Sequence, residues 1–145
     1  MLLWLCLAAT LANVSVVRVS DGDTITVQPV DSVEPVRVRL AQIDAPEKKQ
    51  PYGLEAKATL SALLDGHTVT VEYDKTDRYG RVIGQLYADG KDVNLALVEA
   101  GMAWVYRDYP HTVAYEHAEA TARDHGVGLW TQSNPMPPWV YRRSK

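Results

Sequence analysis

Polar and apolar positions alternate along most of the first half of the chain. In V-R-V-R-L, Val36, Val38 and Leu40 fall on one side and Arg37 and Arg39 on the other, the period of a half-buried strand. S-V-V-R-V-S-D-G-D-T-I-T-V-Q, from Ser15, puts β-branched runs on both sides of a D-G turn signal and predicts a hairpin or tight bend. P-V-D-S-V-E-P reads as the loop to the next strand, and the alternation blurs at Ala41 and Gln42, where a bend or bulge is expected. From Gly53 to Gly66 the period changes to that of a helix, with Leu54, Ala58, Leu60, Leu63 and Leu64 as its apolar face and Gly66 as its stop. H-T-V-T-V-E-Y and V-I-G-Q-L-Y-A-D-G-K read as two more strands around the polar loop D-K-T-D-R-Y-G-R. Asn94 is placed to cap a short helix closed by Gly101, and Thr112 to cap a last helix ending at Gly126. The order is three strands, helix, two strands, two helices. It predicts an α+β fold, a five-stranded OB-fold β-barrel with three helices.

The chain has 145 residues, enough for one domain with a core of its own. Its ends read differently from its middle. Residues 1–12, M-L-L-W-L-C-L-A-A-T-L-A, have no charged side chain and the length of a signal-peptide core, with small residues at a possible cleavage point after Ala12. The run is too short to span a bilayer. It predicts a signal peptide at 1–12 and a secreted or periplasmic protein, with a buried first strand or helix as the other reading. Cys6, the one cysteine, lies inside this segment, so a chain that loses it has no disulfide and no thiolate metal site. The domain is expected over 13–131, followed by a proline-rich tail over 132–145 that packs little except where Trp139 and Tyr141 dock. A net charge of −3 excludes a charge-driven nucleic-acid coat protein; any phosphate must be held by a few placed cations.

The candidate chemistry sits at corners. D-A-P-E sets Asp44 and Glu47 either side of Pro46, whose ring fixes its own φ and restricts Ala45. Asp23 belongs to the D-G-D-T corner. If the first and third strands are neighbours, the two corners converge at one rim of the sheet. Hard oxygen ligands gathered there suit Ca²⁺; zinc is disfavoured because no histidine or cysteine is near. Arg39 and Arg81 add planar forks that can hold phosphate oxygens. Taken singly, each has an ordinary alternative: turn or cap aspartates, surface salt bridges. Taken together they make a phosphodiester-hydrolysis kit.

D-G-D-T, V-R-L-A-Q-I-D-A-P-E, Y-G-L-E-A, D-R-Y-G-R, Y-A-D-G-K-D-V-N and A-L-V-E-A-G-M-A follow one another over residues 15–130. In that order and spacing they resemble the staphylococcal nuclease-like, or thermonuclease, family. The resemblance implies an OB-fold barrel and a Ca²⁺-dependent phosphodiesterase acting on DNA and RNA and leaving 3′-phosphate ends; a monomer is expected. It makes Asp23 and Asp44 the carboxylate ligands of one Ca²⁺ and Ala45 the donor of a backbone carbonyl, where the family commonly has threonine. Mg²⁺ stays open. Glu47 resembles the residue that holds the attacking water, as proton acceptor or as orienter. Arg39 and Arg81 resemble the phosphate-binding arginines, and Tyr79 and Tyr106 are candidates to contact the nucleotide. Lys48, Lys49, Arg78, Arg142 and Arg143 are the expected further phosphate contacts, and the four histidines are expected on the surface or as caps. The competing class is a catalytically silent OB-fold module that binds nucleic acid or protein. A calcium-binding structural protein would leave both arginines idle.

Overall fold

A computed structural model describes residues 8–145. Residues 1–7 of the apolar N-terminal segment lie outside the described residues. Eight strands and four helices follow in order: β1 (Ala9–Asp21), β2 (Thr24–Gln28), β3 (Val36–Leu40), β4 (Ile43–Asp44), α1 (Gly53–Leu64), β5 (Val69–Thr76), β6 (Val82–Ala88), β7 (Lys91–Asp92), α2 (Val93–Glu99), β8 (Trp104–Val105), α3 (Val113–His125) and α4 (Pro138–Arg143). Three of the strands are two-residue ladders; the five long ones make the barrel.

The barrel closes because β1 is long and bent. Its first half pairs antiparallel with β5 (Thr10 opposite Glu72, Val14 opposite Val69), its second half with β2 (Val16 opposite Val27, Val19 opposite Ile25). Register shifts between Leu11 and Val14 and between Val16 and Arg18 supply the extra residues that let one strand turn from one sheet face to the next. β2 continues antiparallel to β3, and β3 closes the ring by a parallel ladder to β6, which pairs with β5. This is the expected five-stranded OB-type α+β barrel. Ile25, Val27, Val38, Leu40, Val69, Val71 and Leu86 point inward and are buried. Burying such side chains contributes roughly 1.5–3 kcal/mol each, which is the main source of stability. A cut after Ala12 would fall within β1, whose Ala9, Thr10 and Leu11 pair with Tyr73, Glu72 and Val71.

Several local expectations change. The inward face of α1 is Gly53, Ala56, Leu60 and Leu64, spaced by three and four; Leu54 is 61 % exposed, and Ala58 also faces solvent. Asn94 does not cap α2. Asp92 does, its carboxylate accepting from Leu95 N at 2.9 Å. Asn94 is buried two residues on, where its side chain accepts from Leu86 N and donates to the carbonyls of Ala41 (3.0 Å) and Gly84 (3.1 Å), tying α2 to the bend after β3. Thr112 stands at the α3 N-cap but makes no side-chain cap bond.

The tail is revised in part: Trp139 docks as expected, but more of the segment packs than the prolines suggest. It packs on the body. α4 starts at buried Pro138, and Trp139 meets Trp104 edge to face at 5.5 Å and Tyr106 at 5.8 Å. Gln50 Nε2 donates to Met136 O at 2.6 Å, fixing the approach to the helix.

Candidate active site

The D-G-D-T corner is the β1–β2 turn. Gly22 lets it press inward: a Cβ there would lie 2.7 Å from Ala56 Cβ and 2.8 Å from Ala45 Cβ, so no larger residue brings this turn against α1 and the D-A-P-E corner. The contact is direct. Asp23 Oδ2 accepts from Ala45 N at 2.7 Å, and Asp23 O accepts from Leu40 N at 2.8 Å. D-A-P-E is held from its other side by β8, with Asp44 opposite Trp104 and Ile43 opposite Val105. Glu119 of α3 steadies β8 by accepting from Val105 N at 2.6 Å. Glu47 N donates to Gln50 Oε1 at 3.0 Å. The two corners meet, but not because the first and third strands are neighbours: β2 lies between β1 and β3, and its pairing with β3, Thr24 opposite Arg39, brings the corners together.

Arg39 fills the space between them. It is 5 % exposed, with Nη2 3.5 Å from Asp23 Oδ2 and 3.3 Å from Asp44 Oδ1, while Nη1 donates to the carbonyls of Leu40 (2.8 Å) and Ile43 (2.9 Å). Burial opposes its charge, but Asp23 and then Asp44 raise its pKa, so it stays protonated. Tyr109 lies with its ring centroid 5.6 Å from the guanidinium.

Negative charge is in excess here. Burial also opposes ionisation of Asp23, but Arg39 and the bonds from Asp21, Ala45 and Thr24 hold its carboxyl below the usual range. Asp21, whose Oδ1 accepts from Asp23 N at 3.0 Å, is pushed up to about 7, first by burial and then by the charge of Asp23. Asp44 is raised to about 6, chiefly by burial, although two arginines contact it. Asp21, Asp23, Asp44 and Glu47 thus outnumber the guanidiniums beside them.

Arg142 of α4 takes the outward side. Its Nη2 lies 2.7 Å from Asp44 Oδ2, and its Nη1 3.0 Å from Asp44 Oδ1 and 2.7 Å from Glu47 Oε1. Here it is a partner of two carboxylates. Among the described residues no three histidine, cysteine, aspartate or glutamate side chains gather into a ready metal cage. The donor set itself is all oxygen and suits Ca²⁺ or Mg²⁺.

Arg81 stands apart from this cluster. Arg39 pairs with Ile83 across the parallel β3–β6 ladder, so Arg81, two residues before Ile83, continues the same face roughly 8 Å away in Cα position. Asp77 holds it, accepting from Arg81 N at 3.0 Å and Nε at 2.7 Å. Tyr79, 57 % exposed, lies over Arg81 and Arg78, with Arg78 Nη2 donating to its hydroxyl at 2.7 Å. Tyr106 is half-buried, edge to face with Tyr109 at 4.6 Å. Two histidines lie where expected, His67 bonded to Asp89 and His111 to Glu116.

Asp21, Gln50, Tyr109 and Trp139 were not singled out as site residues. Asp21 had a usable signal, since it opens the same D-G-D-T corner. The others join the site only through the packing of β8 and α4.

The chain matches the model of the "Staphylococcal nuclease homologue" family over residues 37–132. It is 50 % identical over 131 residues to an "Uncharacterized endonuclease" of Escherichia coli, covering 90 % of this chain and 84 % of that protein. A protein of the same name in Haemophilus influenzae is 41 % identical over 130 residues, covering 90 % and 72 %. The "Micrococcal nuclease" of Shigella flexneri is 39 % identical over 140 residues, covering 89 % and 79 %. With this barrel, these motifs and these relatives, the chain belongs to the staphylococcal nuclease homologue family.

Proposed function

We propose that the chain is a nuclease that hydrolyses phosphodiester bonds of DNA and RNA, with one Ca²⁺ at the acidic corner. The observation that carries the reading is the bond from Ala45 N to Asp23 Oδ2, which joins the two acidic turns with Arg39 between them. The names of the relatives, endonuclease and micrococcal nuclease, support it. Asp23 and Asp44 would hold the ion, with the carbonyl of Ala45. When bound there, Ca²⁺ supplies Lewis-acid polarisation of a phosphoryl oxygen and an acidified water.

The chain's own residues do the rest. Glu47, on the solvent side of the corner, accepts a hydrogen bond from the attacking water and orients it or takes its proton. Water adds to phosphorus, the bond to the 5′ oxygen breaks, and the products are a 3′-phosphate and a 5′-hydroxyl. Arg81 donates to the phosphoryl oxygens as their charge grows. Arg39 neutralises the aspartates and, where it shares its Nη2 edge, the phosphate. Tyr79 and Tyr106 flank the corner as nucleotide contacts. With a net charge of −3, polynucleotide binding is weak, salt-sensitive and concentrated at the cleavage point. The apolar segment at 1–12 is the basis for proposing export, and the enzyme acts as a monomer.

Single-stranded DNA incubated with the purified chain is expected to be cut in Ca²⁺ and to remain intact with chelator. DNA that is bound but uncut under both conditions would instead mark a silent OB-fold binding module.

A further inference from the structure

We propose that Arg142 is a built-in counter-cation of the acidic corner, so that a divalent ion binds by displacing a guanidinium the chain itself supplies. The inference rests on the Ca²⁺ reading above.

The argument begins with the acceptors. Asp44 is 0 % exposed, and both of its oxygens are taken from the outer side by one fork, at 2.7 and 3.0 Å. The same Nη1 reaches Glu47 Oε1 at 2.7 Å, so one planar cation bridges the residue expected to bind metal and the residue expected to bind water. Arg39 already occupies the inner side of Asp44. A hard cation approaching Asp44 needs an oxygen lone pair that Arg142 is using. Two like charges also repel at such separations, so guanidinium and metal exclude each other by charge as well as by space.

Arg142 is not a loose surface arginine that happened to fold inward. Its helix is seated by Pro138 and by Trp139 on Trp104, the residue paired with Asp44 across β4 and β8. Gln50 holds the approach to α4 through Met136 O and the D-A-P-E corner through Glu47 N, so one side chain registers both. The fork remains 40 % exposed, which leaves it a path back to water when a stronger cation arrives. The C-terminal helix is therefore a wall of the site whose closing residue competes with the metal. It compensates the excess acid, and it makes metal affinity depend on a residue 98 positions along the chain from Asp44.

Calorimetric Ca²⁺ titration of the full chain and of two variants tests this without measuring activity. Arg142→Gln is expected to bind Ca²⁺ about tenfold more tightly than the parent, because the competitor is gone. Arg142→Lys keeps the charge but loses the fork, and should fall between them. Thermal melts of all three without metal check that each is folded. Unchanged or weaker Ca²⁺ affinity in folded Arg142→Gln, with the parent binding normally, would overturn the proposal and leave the Ca²⁺ reading standing. Absence of binding in all three at millimolar Ca²⁺ would overturn both.

Discussion

Arg81→Ala is expected to lower turnover on single-stranded DNA by roughly 10³-fold while the domain stays folded. The separation of the two effects follows from how Arg81 is held. Its side chain is 23 % exposed and its carboxylate partner, Asp77, lies in its own loop. Among the described residues, Asp77 accepts from Arg81 Nε, and neither Nη group of the fork has a protein partner. Those two groups are what a phosphoryl oxygen would meet. Removing the side chain leaves Asp77 still accepting from the backbone N–H groups of Tyr79 (2.9 Å) and Arg81 (3.0 Å), so the turn keeps its shape. A partly exposed ion pair within one loop contributes about 1 kcal/mol or less. Steady-state rates and melting temperatures measured on the same preparation check both halves. Undiminished turnover would remove Arg81 from the mechanism.

Arg39→Ala is expected to behave in the opposite way, losing the fold along with the activity. Arg39 is 5 % exposed and is the inner charge partner of Asp23 and Asp44. Breaking a buried ion pair from one side costs about 3–5 kcal/mol, because buried Asp23 is left without a cation and Asp44 keeps only Arg142 on its outer side. The carbonyls of Leu40 and Ile43 lose their donor as well. That loss is comparable to a large share of a small domain's whole stability. The charge part of it has a pH signature. Asp21 and Asp44 already retain protons up to about 7 and about 6, so near pH 5 the corner carries less charge and the penalty for removing Arg39 shrinks. Urea unfolding at pH 5 and pH 8 measures it. A loss below 1 kcal/mol at pH 8 would show that Arg39 does not hold the corner together.

The contrast between the two arginines was not legible in the sequence, where both appear as polar residues on or beside a strand. What separates them is register. Arg39 lies on β3 where the barrel folds two acidic turns over it, and Arg81 lies at the open end of β6. The features that local chemistry dictates were readable: the V-R-V-R-L strand, the D-G turns, the bend at Ala41 and Gln42, the glycine stops at Gly66 and Gly126. The convergence of Asp23 with Asp44 was expected from adjacent first and third strands; it comes instead from β2 lying between them, with Thr24 opposite Arg39. Asn94 misled because asparagine before an apolar run is a cap signal, and only the buried donors and acceptors of Leu86, Ala41 and Gly84 give it another use. The tail misled for a related reason. Its prolines suggest an end that packs little; Trp139 docks as expected, on Trp104 of β8 and Tyr106 just beyond it, and the rest of α4 is seated with it. Arg142 meets Asp44 across 98 residues of chain, a separation that no periodicity reports.

The central claim is that the two acidic turns form one cation site. The most direct measurement is the position of Ca²⁺ in crystals of this chain grown with the ion and a nucleotide phosphate. The account predicts calcium density touching both Asp23 and Asp44, with the phosphate reached by Arg81. Calcium bound elsewhere on the barrel, with Asp23 and Asp44 still paired only to arginine, would contradict it.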